Sequence, residues 1–189
     1  MSGVSTAEQI TADILRVDHA GEYGAIRIYA AQLHVARWRA PDLLAFLDHT
    51  LSDERRHRIE FEQLMQGRGI GPCRALALWG LGGSLLGLIT AVLGRTALLV
   101  CTEAVERTVH RHLEDQIRWL SAEHPEIANR LTSIQAEELE HLQFAVARMP
   151  WPKPRSVQVL DLLITGATEG LIWLSTYGVS LSVARRIKA

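Results

Sequence analysis

The chain has 189 residues, 48% of them hydrophobic and 22% charged, with a formal net charge of −1. That length suits one domain with a substantial core, and the near-neutral balance excludes nucleic-acid binding through a basic field. Two cysteines, Cys73 and Cys101, cannot make a disulfide framework and lack metal-type spacing, so they read as free thiols in a reducing compartment.

The N-terminus, Met1 to Ile10, has the pattern of neither a signal peptide nor an Arg-rich transit peptide. Ser5-Thr6-Ala7-Glu8 reads as a capping box opening a first helix, which runs to about Arg39 before Pro41. Pro41-Asp42 starts a second helix that fades by Met65, and Gly67, Gly69, Gly71 and Pro72 make a loop. An uncharged stretch covers Ala75 to Gly94. A further helix runs from Arg95 to about Glu123, and Pro125 begins another that ends near Met149. Pro150, Pro152 and Pro154 form a stiff break before a last helix over about 156–186. No strand pattern is evident, so the expected class is all-α.

Within this helical order one phrase occurs twice. Glu22 is followed 32 residues later by Glu54, which opens Glu54-x-x-His57. Glu106 is followed 32 residues later by Glu138, which opens Glu138-x-x-His141. Glu-x-x-His alone is weak, because chance supplies roughly 0.6 such pairs at this composition. The equal intervals say more, and suggest two pseudo-repeats of about 8–65 and 95–148 within a single domain.

Helical spacing puts every one of these residues in an apolar stripe. Leu47, Leu51, Glu54, His57, Phe61 and Leu64 share one face; Leu131, Ile134, Glu138, His141 and Ala145 share another. Leu15, Glu22, Ile26 and Tyr29 align on the first helix, and Leu99, Glu106, Val109 and Leu113 on a later one. Most Glu residues on helices are solvated. Four carboxylates on core-facing stripes are different, since a buried unpaired carboxylate costs several kcal/mol. Four Glu and two His are the ligand set of a carboxylate-bridged di-metal centre in a four-helix bundle.

Ala75 to Gly94 is long enough to cross a bilayer at about 1.5 Å per residue. Crossing would put the two halves of the metal site on opposite sides of the membrane. A buried core helix and a helix lying on the membrane surface remain, and the surface helix is the expectation. Trp79, Leu85, Leu86 and Ile89 would supply apolar contact, and Arg74 and Arg95 would reach head groups. Gly83-x-x-x-Gly87 is a close-packing signal.

These residues resemble the demethoxyubiquinone hydroxylase family of ubiquinone biosynthesis. The matching text is Arg16-Val17-Asp18-His19-Ala20-Gly21-Glu22-Tyr23-Gly24-Ala25, Glu54-x-x-His57, Cys101-Thr102-Glu103-Ala104-Val105-Glu106 and Glu137-Glu138-Leu139-Glu140-His141. The similarity runs from about Ile14 to Ser175. It implies a ferritin-like four-helix bundle with added membrane-facing apolar helices. It also implies two iron ions held by Glu22, Glu54, His57, Glu106, Glu138 and His141. Glu106 rather than Glu103, and Glu138 rather than Glu137 or Glu140, match the family ligands. Asp53 and Glu137 precede the two motifs and are either imidazole-orienting groups or surface charges. His112 matches a family histidine near the active site. Leu113 stands where a Tyr is common, Glu169 where a basic residue is usual, and Leu174-Ser175-Thr176-Tyr177 replaces the familiar C-terminal ending.

The implied activity is O2-dependent hydroxylation of a polyprenyl quinone ring, with NADH as electron donor. The implied setting is peripheral, on the cytoplasmic side of a bacterial inner membrane. A lipid-binding accessory protein and a homo-oligomer are further expected partners, and nucleic acid is not. Three rivals are a di-iron oxygenase acting on tRNA or another lipid, a ferritin- or rubrerythrin-type handler of iron or peroxide, and a silent scaffold. The neutral charge disfavours tRNA, and the intact ligands disfavour a scaffold.

Overall fold

The computed structural model describes residues 6–176, and among these every regular element is helical. The order is α1 (Ala7–Arg39), a short 3-10 turn (Pro41–Leu43), α2 (Leu44–Gln66), α3 (Leu76–Leu93), α4 (Arg95–Glu123), α5 (Pro125–Ala147) and α6 (Arg155–Thr176). Positions 177–186, expected to continue the last helix, lie outside the described residues.

Local signals explain the boundaries. Thr6 caps α1 by accepting from the Gln9 amide, while the Gln9 side chain accepts from Thr6 N–H. The capping box is therefore Thr6 with Gln9, shifted by one residue from the expected Ser5–Glu8 frame. Pro41 ends α1 and starts the 3-10 turn, so α2 proper begins at Leu44 rather than at Pro41. Gly94, at φ +99°, makes the reversal between α3 and α4 in a conformation that side chains disfavour. Pro125 occupies the first turn of α5, where its missing N–H costs nothing.

α1 pairs with α2 and α4 with α5, and the two pairs close into a four-helix bundle through α1–α4 and α2–α5 contacts. Two apolar clusters fill its ends. One gathers Leu15, Phe61, Leu113 and Ile134; the other gathers Tyr29, Leu51, Leu99 and Ala145. On each of the four helices the polar Glu and His positions fall between a residue of the first cluster and one of the second. The bundle thus closes apolar seals above and below a polar middle.

α3 lies along α1 and α6 along α4. The α1–α3 contact is backbone on backbone. A Cβ on Gly83 would meet the Gly24 carbonyl oxygen at 2.4 Å, and one on Gly87 the Ile28 carbonyl oxygen at 2.4 Å. The small-residue spacing is therefore used against α1. α3 presents two different faces. Trp79 is buried against Gly24, and Leu86 packs beside Ile28, while Leu78, Leu81, Leu85, Leu88 and Ile89 are exposed. Trp79 and Leu86, expected on the outer surface, face inward because the glycines let α3 approach α1 closely. α6 likewise exposes Val159, Leu162, Leu163 and Trp173.

Candidate metal centre

Glu22, Glu54, His57, Glu106, Glu138 and His141 are all buried, at 6% exposure or less. The structure brings them together in two overlapping groups. Glu22, Glu54, His57 and Glu138 form one, and Glu54, Glu106, Glu138 and His141 the other; within each, one donor atom per residue lies within 4.8 Å of the rest. Glu54 and Glu138 belong to both. Each group thus has its own Glu and its own His, and the two share a pair of carboxylates.

Glu138 shows the sharing most directly. Its Oε1 lies 3.0 Å from His57 Nδ1 and its Oε2 3.3 Å from His141 Nδ1. His57 Nδ1 is also 3.7 Å from Glu22, and His141 Nδ1 is 3.8 Å from Glu54. Both imidazoles turn Nδ1 inward and Nε2 outward.

The outer nitrogens are held across the bundle. His57 Nε2, on α2, lies 3.0 Å from Glu137 on α5, and His141 Nε2, on α5, lies 3.2 Å from Asp53 on α2. Each residue just before a motif Glu therefore positions the imidazole of the opposite motif. Arg56 ties the two together, donating to Asp53 at 2.9 Å and to Glu137. Asp53 is held below the usual carboxylate range; burial opposes this, and Arg56 and His141 outweigh it. The phenol of Tyr29, on α1, donates to Glu106, and burial beside Glu106 pushes the phenol well above its usual range.

The electrostatics ask for cations. Burial, with repulsion from Glu138, pushes Glu54 and Glu106 well above the carboxylate range, and burial raises Glu22 too. Burial also opposes ionisation of Glu138, yet hydrogen bonds from His141 and His57 hold it low. Burial would lower His57, but Glu138 and Glu22 hold it up at about 11. Glu54 Oε1 is buried without any hydrogen-bond partner, a costly state for a carboxylate oxygen. Four carboxylates would balance two divalent cations, and a bound cation would give the orphaned Glu54 oxygen a partner. The donor set, two imidazoles and hard oxygens, suits iron or manganese.

A cavity of about 190 Å³ reaches the cluster. Glu22, Glu54, Glu106 and Glu138 line it, and His57 and His141 do not. The carboxylate side of the centre is thus the approachable one. The cavity runs between α1, α3, α4 and α6 past Ile28, Trp79, Leu86, Leu171 and Ile172.

Other flagged residues have definite places. His112 lines the cavity, with Nε2 2.9 Å from Glu169, which also accepts from Arg111 at 2.9 Å. The unusual acid at 169 therefore anchors His112. Leu113 is buried and lines the same cavity. Glu103 faces away from the cluster, to Arg107 and Lys153. Both cysteines are free and buried. Sequence reading passed over Tyr29, Arg56, Asp18 and Gln116 as functional groups. Tyr29 and Asp18 were accessible signals, lying seven after and four before Glu22 on its own face.

Residues 9–175 match the family described as Ubiquinone biosynthesis protein COQ7. The chain belongs to this family. It is 33% identical over 172 residues to the NADPH-dependent 3-demethoxyubiquinone 3-hydroxylase, mitochondrial, of Dictyostelium discoideum, covering 89% of this chain and 77% of that protein. It is 35% identical over 161 residues to the 3-demethoxyubiquinol 3-hydroxylase of Rhodospirillum rubrum, covering 85% and 75%. The human NADPH-dependent 3-demethoxyubiquinone 3-hydroxylase, mitochondrial, is 39% identical over 132 residues, covering 68% and 60%. The ferritin-like, all-helical expectation agrees with this family and with the observed bundle.

Proposed function

We propose that this protein is a ring hydroxylase of ubiquinone biosynthesis, acting on a polyprenyl demethoxyubiquinone or its quinol. Two iron ions are held by Glu22, Glu54, His57, Glu106, Glu138 and His141, with Glu54 and Glu138 shared. The observation that carries this reading is the apolar cavity whose inner wall is made by four of those carboxylates. Storage or scavenging of small inorganic species has no use for such a cavity. Iron bound there supplies O2 activation and the redox chemistry of hydroxylation. The protein supplies the rest: Asp53 and Glu137 fix the imidazoles, Tyr29 fixes Glu106, and the end clusters exclude water from the polar middle.

The tail of the substrate lies along Trp79, Leu86 and Leu171, and leaves toward the exposed apolar faces of α3 and α6. Both helices are long and apolar enough to cross a membrane. We read them instead as lying on its surface, because α3 is bound along α1 by the glycine contacts. In this reading the protein is peripheral, on the cytoplasmic side of a bacterial inner membrane, and takes its substrate from the bilayer. The two helix pairs, α1–α2 and α4–α5, are read as a duplicated unit within one domain. The Dictyostelium and human relatives are named as NADPH-dependent, whereas the resemblance implies NADH. We propose a reduced nicotinamide as electron source, with the two compared directly in assay.

Quinone profiling of a strain lacking the gene tests the reading. A methoxy-lacking precursor accumulates, and wild type but not Glu138→Ala restores ubiquinone. Unchanged ubiquinone in a strain with no second hydroxylase refutes it.

A further inference from the structure

Among the walls of the cavity two polar side chains stand out that are not candidate ligands and have unfinished hydrogen bonding. Asp18, on α1, accepts from Gln116 Nε2, on α4, at 2.9 Å through its Oδ1. Asp18 Oδ2 and Gln116 Oε1 are both buried with no partner. Gln116 is 7% exposed, and both residues line the cavity. Two unpartnered oxygens, on residues hydrogen-bonded to each other at the wall of an apolar cavity, are a costly arrangement unless a ligand completes them.

We propose that the Asp18–Gln116 pair positions the substrate ring by binding one of its oxygens as a hydroxyl, so that the site prefers the quinol to the quinone. The inference rests on the ring-hydroxylase reading. Asp18 lies one helical turn from Glu22, about 6 Å along the axis. That distance is comparable with the span of a six-membered ring and its para oxygens, so one edge of the ring faces the carboxylates while an oxygen reaches the pair. Burial pushes the Asp18 carboxyl up to about 8, against the lowering effect of Gln116. A carboxyl that is neutral near pH 7 can donate from Oδ2, while the amide oxygen of Gln116 only accepts. A ring hydroxyl accepts from the first and donates to the second. A ring carbonyl satisfies Asp18 and leaves Gln116 Oε1 bare.

The test is anaerobic calorimetric titration of the ferrous-loaded protein with a short-tailed demethoxyubiquinol and with the matching quinone. Wild type is expected to bind the quinol about tenfold more tightly, the worth of one buried hydrogen bond. Gln116→Met should reduce that preference to within about twofold, with metal content and quinone affinity retained. Asp18→Asn keeps a donor at the Oδ2 position and should keep the preference, whereas Asp18→Leu should weaken both ligands. Equal affinity of wild type for the two forms, or an undiminished preference in Gln116→Met, overturns the assignment and leaves the hydroxylase reading intact. Wild type that binds neither form overturns both.

Discussion

Asp53 belongs to α2, yet its Oδ2 lies 3.2 Å from Nε2 of His141 on α5. Glu137 on α5 does the same for His57 on α2, at 3.0 Å. Orientation of each imidazole therefore depends on the helix across the bundle, and Arg56 couples the two carboxylates. Asp53→Ala should lower metal affinity about 10- to 100-fold, with the helical content unchanged. Ferrous titration of the purified variant checks this; wild-type affinity would show that Asp53 does not support metal binding through His141.

Glu138 belongs to both groups of clustered donor residues, whereas Glu22 and Glu106 each belong to one. Glu138→Ala should therefore lose both ions. Glu22→Ala is expected to retain an ion at the position built from Glu106 and His141. Metal stoichiometry after gel filtration distinguishes the two, and equal loss in both variants would contradict the division into two overlapping groups.

The α1–α3 seam predicts a contrast among neighbouring glycines. A Cβ at Gly83 meets the Gly24 carbonyl at 2.4 Å, but at Gly82 it meets nothing within 4 Å. Gly83→Ala should cost about 1–3 kcal/mol through backbone displacement. Gly82→Ala should stabilise by about 0.5–1 kcal/mol, since it lies mid-helix with open space around it. Thermal melting of both variants reads the sign of each.

Asp18 predicts a pH dependence of stability. Its carboxyl titrates at about 8 in the folded chain against an ordinary value of 3.8, raised by burial. Between those values the folded chain keeps a proton that the unfolded chain has lost, so this contribution to stability falls as pH rises. Asp18→Asn removes the titration. Its denaturation midpoint relative to wild type should therefore rise on going from about pH 5 to about pH 8. A gap that narrows over that range contradicts the assignment.

Burial pushes the Cys101 thiol up to about 12, and the residue is fully buried. Native protein should resist alkylation of Cys101 by iodoacetamide near neutral pH, because both thiolate and access are lacking. Peptide mapping before and after denaturation reads this. Rapid native labelling would place Cys101 in an opening segment.

Much of the bundle was readable in the sequence because helix periodicity is local. The stripes through Glu22, Glu54, Glu106 and Glu138 needed only the 3.6-residue repeat, and Pro41, Gly94 and Pro125 marked the breaks. The facing of α3 was not readable. Its residues are apolar nearly all round, so no hydrophobic pattern separates Trp79, which is buried, from Leu78, which is not. The glycine contacts with α1 made that choice. The start of α1 was missed by one residue, because Ser5–Glu8 and Thr6–Gln9 fit the capping pattern equally well.

The sequence by itself determined which residues had to meet. Two spaced copies of Glu and Glu-x-x-His, each inside an apolar stripe, leave buried carboxylates that need hydrogen-bond donors or a cation. It also carried the family, through the unbroken run around Glu22. The tertiary structure decided who supports whom. Asp53 holding His141, Glu137 holding His57, Tyr29 holding Glu106 and Asp18 joined to Gln116 are all contacts between different helices. Hydrogen bonds of that kind depend on how helices are rotated and offset against each other, and spacing within one helix carries no record of it.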